Sequence, residues 1–140
     1  MFEPLETTVT LMNGETGFTG VCGDNSPISF DYTPPFGDSA GYTPLELLLM
    51  SLAACSGMTL VVLLRKMRKT VDGFSVSARG VRRDTHPTVF REIALEFVLH
   101  SPDAGDAEMQ RAVQLSEESF CPVWAMLDGV EITSSYRIVS

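Results

Sequence analysis

The sequence predicts a mixed α+β fold in the order βββ–α–ββ–αα–β. Three features carry that expectation. Apolar and polar residues alternate in six short runs, one apolar stretch extends from Leu45 to Leu64, and turn residues separate the runs. The order is not the strict βαβ alternation of a parallel sheet. The length suits one domain spanning residues 1–140, with enough chain to bury a core.

Thr7 to Met12 alternates as a strand, and Asn13-Gly14 is a hairpin turn signal. Phe18 to Cys22 is expected to be a second strand. Gly23 to Pro27 breaks it, and Ile28 to Tyr32 returns as a third. Thr33 to Tyr42 is rich in Pro, Gly, Asp and Ser and is expected to be a loop. Thr43-Pro44 then places a capping residue before a proline at the first helical position. The apolar helix follows, ends in Arg65, Lys66, Arg68 and Lys69, and is stopped by Val71-Asp72-Gly73. Phe74 to Val81 and Val89 to His100 alternate again, around a turn that holds His86-Pro87. Ser101-Pro102-Asp103 opens a helix through Phe120. Cys121-Pro122 starts a short one that Asp128-Gly129 ends, and Val130 to Val139 closes the chain as a strand.

The net charge is −8, and no Lys or Arg precedes Arg65. An acidic chain without a basic arm is not expected to bind nucleic acid, because phosphate contacts draw on many cations. The cluster at Arg65–Lys69 suits the negative end of a helix dipole. The acidic N-terminus, Met1-Phe2-Glu3-Pro4-Leu5-Glu6, has no basic start or apolar run, so no export signal is expected and the location is read as cytoplasmic.

The Leu45–Leu64 stretch is close to a membrane span in length, yet burial in protein is the expectation. Glu46, Ser51, Ser56 and Thr59 interrupt it, and Ala53, Ala54, Ser56 and Gly57 permit close backbone approach. One small sheet covers a single face of such a helix. A second copy of the chain, in a symmetric homodimer, is the simplest cover for the rest.

Three cysteines without an export signal suggest thiols in a reducing compartment. Cys22, Cys55 and Cys121 form no CxxC, and neither His86 nor His100 is near a cysteine in sequence, so no metal site is expected. No GxSxG supports a hydrolase. Cys55 lies mid-helix, where it is either a small buried hydrophobe or a reactive thiol whose pKa burial raises. Cys121 precedes Pro122 at a helix start, where thiolate is favoured; it is either reactive or a plain cap. Phe120 and Trp124 add apolar bulk beside it. Cys22 is a packing residue or, if its strand faces outward, a surface thiol.

The segment Thr43-Pro44-Leu45-Glu46-Leu47-Leu48, leading into Ala53-Ala54-Cys55-Ser56, resembles the central-helix motif of the OsmC/Ohr family. Ser119-Phe120-Cys121-Pro122-Val123 resembles its second-cysteine motif, and the element order is similar across nearly the whole chain. The resemblance implies an intertwined homodimer with central apolar helices packed against antiparallel sheets and sites at the subunit interface. It implies thiol-dependent reduction of organic hydroperoxides, with Cys55 attacking, Cys121 resolving, an external thiol as reductant, and no cofactor. The chain departs from the family where an arginine and a glutamate activate the first cysteine. No arginine exists in the N-terminal strands, and Leu45 follows the helix-opening proline where the glutamate commonly stands. Glu46 is nine positions from Cys55, which at about 100° per residue puts it on the opposite helix face. Arg79, Arg82, Arg83 and Arg91 are the remaining candidates for an activating cation. The alternative reading is an OsmC-fold binding or redox-sensing module without efficient turnover.

Overall fold

The computed structural model describes residues 2–140 and divides into two compact units, one ending at Leu48 and the other spanning Leu49–Ser140. The first unit holds a three-stranded antiparallel sheet of β1 (Thr8–Leu11), β2 (Phe18–Val21) and β3 (Ile28–Phe30), in that order. Asn13 closes the first turn through its side chain, whose oxygen accepts the Glu15 and Gly17 amide protons. The loop after β3 is organised by Asp31. One carboxylate oxygen accepts the Thr16 hydroxyl at 2.7 Å, and the other accepts the Asp38 and Ala40 amides.

Helix α1 (Pro44–Lys66) starts in a capping box, with Thr43 Oγ1 accepting the Glu46 amide and Glu46 Oε1 accepting the Thr43 amide at 2.8 Å. Glu46 therefore serves the helix N-terminus, as its position predicted. Arg65 and Lys66 occupy the last turn.

The second unit holds β4 (Gly73–Arg82), β5 (Phe90–His100) and β6 (Glu131–Val139), with β5 central. β4 and β5 are antiparallel, whereas β6 pairs parallel to β5, so this sheet is mixed where antiparallel pairing was expected. Phe90, Ile93, Leu95, Phe97 and Leu99 of β5 are buried. The α1 residues Leu52, Leu60 and Leu64 join them in the core, and Ser56 and Gly57 are buried on the same helix. Gly57 faces Val76 and Phe74 of β4 so closely that a Cβ would lie 2.9 Å from Val76 Cγ2. Leu49 lies near Gly80 at the other end of β4, so α1 runs antiparallel to that strand.

The helix expected from Ser101 is shorter and in two parts. Ser101 to Gly105 is a turn, because the Ser101 hydroxyl accepts the Asp103 and Ala104 amides in competition with helical bonding. Asp103 in turn accepts the Thr70 amide and hydroxyl. Helix α2 (Asp106–Leu115) follows and buries Met109 and Ala112. Ser116–Phe120 forms a π-helical turn, and α3 (Pro122–Met126) begins after Cys121.

Replacing Leu60, fully buried on α1, by Ala is expected to cost about 2–5 kcal/mol of unfolding free energy in urea titration. A loss below about 1 kcal/mol would remove α1 from the core. Acid is expected to loosen the loop around Asp31. The Thr16 hydroxyl and then the Asp38 amide hold its carboxyl below the ordinary value. A depressed folded pKa contributes stability that is complete above the unfolded value, about 3.9, and is lost as pH falls through the folded one. Hydrogen-exchange protection at the Asp38 and Ala40 amides, relative to the intrinsic rate at each pH, should therefore fall only in that acid range, and Asp31→Asn should remove the acid dependence. Equal protection on both sides of the range would contradict it.

Candidate functional site

Cys55 and Cys121 are sixty-six positions apart in sequence, and the second unit brings them close enough that the Cys121 thiol bears on the titration of Cys55. Cys55 is supplied by the middle of α1 and is half-buried. Cys121 sits between the π-helical turn and α3 and is 3 % exposed. Its amide donates to the Ser116 carbonyl at 2.9 Å, and its carbonyl accepts the Ala125 amide at 3.2 Å. Pro122 at the first position of α3 has no amide proton to satisfy, so the chain turns at Cys121 without leaving a donor unpaired. Both sulfurs are free thiols.

Burial pushes the Cys55 thiol above its ordinary pKa. The Val123 amide, which can donate to its sulfur, opposes that shift, and the neighbouring Cys121 thiol reinforces it. The physical cause is the one expected of a mid-helix apolar site, since a low-polarity environment disfavours the charged form. Among the described residues, no cation is one of the groups that act on Cys55. Of the four candidate arginines, Arg82 and Arg83 tie down the turn before β5, through Thr88 for the first and the carbonyls of Thr85 and Pro87 for the second. Arg79 and Arg91 are exposed on the sheet.

Two groups at the site were not expected to act there. The Ser56 hydroxyl lies 3.4 Å from the Cys121 sulfur, and both are buried. The sequence signal was a hydroxyl directly after a cysteine on a buried helix, which reads first as a small residue allowing close packing. The second group is the Val123 amide, a backbone donor that no residue pattern announces. Phe120 is exposed and lines an apolar groove with Met58, Thr59, Val62 and Leu63, closed by Lys66. Trp124 is half-buried. Cys22 lies just past β2 in the first unit and is half-buried, and its neighbourhood is lined by Val9, Ile28 and Phe30.

The arrangement supplies what dithiol–disulfide chemistry requires, two free thiols near one another, one of them half-buried. The chain is similar to known proteins along most of its length. Protein YhfA of Escherichia coli strain K12 is 39 % identical over 105 residues, covering 74 % of this chain and 78 % of that protein. An OsmC-like protein from Mycoplasma pneumoniae shares the fold at a TM-score of 0.84 and 23 % identity, each chain covered completely. An organic hydroperoxide resistance protein OsmC from Legionella pneumophila shares it at a TM-score of 0.71 and 14 % identity, covering 100 % of this chain and 99 % of that one. The family described as OsmC-like protein matches residues 37–135, a span that contains both cysteine segments, and the chain belongs to that family.

Proposed function

We propose that this protein is a thiol-dependent peroxidase that reduces organic hydroperoxides through Cys55 and Cys121. The observation that supports the reading is the meeting of two free thiols, one half-buried and one buried, from distant parts of the chain. Proteins named for organic hydroperoxide resistance share the fold. In the first step the Cys55 thiolate attacks the terminal peroxide oxygen. An S–O bond forms, the O–O bond breaks, the alcohol leaves after taking a proton, and Cys55 becomes a sulfenic acid. The Cys121 thiol gives up its proton and attacks that sulfur, the S–S bond forms, the S–O bond breaks, and the departing hydroxide takes the proton and leaves as water. An external thiol reductant reduces the disulfide and is itself oxidised to a disulfide. The chemistry needs no metal or organic cofactor, and the free thiols suit a reducing cytoplasm.

A second reading is favoured by the raised Cys55 pKa without a compensating cation. It is a binding or redox-sensing module on the same fold, with slow turnover. The rate near neutrality separates the two. A raised pKa leaves little thiolate there, so for the sensor turnover is slow at neutral pH and reactivity climbs as pH rises toward that pKa, whereas an efficient peroxidase turns over rapidly at neutral pH.

Thiol-dependent loss of an organic hydroperoxide should be abolished in Cys55→Ser and stop after one turnover in Cys121→Ser. Stoichiometric peroxide should lower the intact mass by about 2 Da, the two hydrogens of a new disulfide, only when both cysteines are present. An unchanged mass at peroxide excess leaves neither redox reading standing.

The homodimer belongs to the same proposal. Met50, Met58 and Val62 of α1 are 41 %, 70 % and 51 % exposed, and they line a groove of 660 Å³ with Phe74 and Val76 of β4. A second copy is the occupant proposed for that face. Light scattering at micromolar concentration should return a dimer. The double change Met58→Glu and Val62→Glu should return a monomer with unchanged far-ultraviolet circular dichroism. A monomeric parent chain would remove the second copy from the account.

A further inference from the structure

Ser56 is 1 % exposed, and among the described residues the one hydrogen-bond partner of its hydroxyl is the Cys121 sulfur. A serine inside a helix ordinarily returns its proton to the carbonyl four residues back. Thr59 on the same helix does so, donating to the Cys55 carbonyl at 2.8 Å. The Ser56 hydroxyl instead lies 3.4 Å from a sulfur sixty-five positions away, a contact in which either group can donate. An O–H group is a stronger donor than S–H, and a thiol or thiolate sulfur is an acceptor. Cys55 and Ser56 are consecutive, so their side chains leave α1 about 100° apart. The Cys121 sulfur is therefore engaged from two directions, by a redox partner and by a hydroxyl.

We infer that Ser56 is a positioning residue that donates its hydroxyl proton to the Cys121 sulfur and so holds the redox pair toward its reduced form. The inference rests on the reading of Cys55 and Cys121 as a redox pair and adds a determinant of its potential. Oxidation by a small cyclic disulfide makes the balance explicit. The reagent S–S bond breaks, the protein S–S bond forms, and both thiol protons pass to the reagent sulfurs. A sulfur bonded to Cys55 accepts a hydrogen bond less well than a thiol or thiolate, so the Ser56 contact weakens on oxidation. Its loss should make the disulfide relatively more stable.

The test is equilibration of the full chain in buffers of oxidised and reduced dithiothreitol, with the disulfide fraction read by intact mass. The variants are Ser56→Ala and Ser56→Gly. Both lack the hydroxyl, but they differ in packing and helix propensity. Each should shift the equilibrium about tenfold toward the disulfide, a potential about 30 mV more negative. Packing loss alone would separate the two variants in thermal stability and leave their potentials at the parent value, and that result overturns the inference. Absence of any Cys55–Cys121 disulfide in the parent chain would overturn the redox pair and this inference together. A shifted potential in a protein that consumes no peroxide would support the role of Ser56 and sink the peroxidase reading alone.

Discussion

Parallel pairing of β6 with β5 is the constraint on which the rest of the second unit depends. Parallel neighbours cannot be joined by a hairpin. The chain must travel back along the sheet, which takes a dozen residues or more. Residues 101–130 make that return, and they form α2, the π-helical turn and α3. The return path carries Cys121, and it ends with the Cys121 sulfur against Ser56 of α1. Antiparallel pairing at the same edge would have needed only a tight turn, and Cys121 would have had no crossover to carry it.

The packing that gathers the sulfurs also sets their chemistry. The apolar face of α1 is held against β4 by close contact at Gly57 and by the burial of Leu52, Leu60 and Leu64. Placing Cys55 on that helix removes water from one side of its thiol and disfavours the thiolate. The fold answers with a neutral donor, the Val123 amide, rather than with a cation. An amide can direct charge without bringing a counterion into an apolar site, but it compensates burial less than a paired guanidinium would.

Much of the fold was legible because its signals are local. The alternation of β5 and the cap at Thr43-Pro44 each depend on a few neighbouring residues, and both fall within a residue or two of expectation. The helix expected from Ser101 was overextended, because Ser101 and Asp103 turn their side chains back on the backbone and on Thr70. The parallel direction of β6 was not legible, since strand pattern carries no orientation. At the site, both sulfurs were visible as residues beside proline and small-residue motifs. Ser56 was visible only as a small residue, because its role depends on what arrives from sixty-five positions away.

The π-helical turn before Cys121 has a consequence for how this site could vary. The Cys121 amide reaches the carbonyl five residues back, at Ser116, so the turn holds one residue more than α-helical bonding would use. Deleting a single residue there would let the helix close in ordinary register and swing whatever follows by about 100°. Cys121 would then leave α1, while the strand pairing of the sheet would be unchanged. One codon of length is thus enough to separate the two sulfurs, which makes this segment the place where a related chain could keep the sheet and lose their proximity.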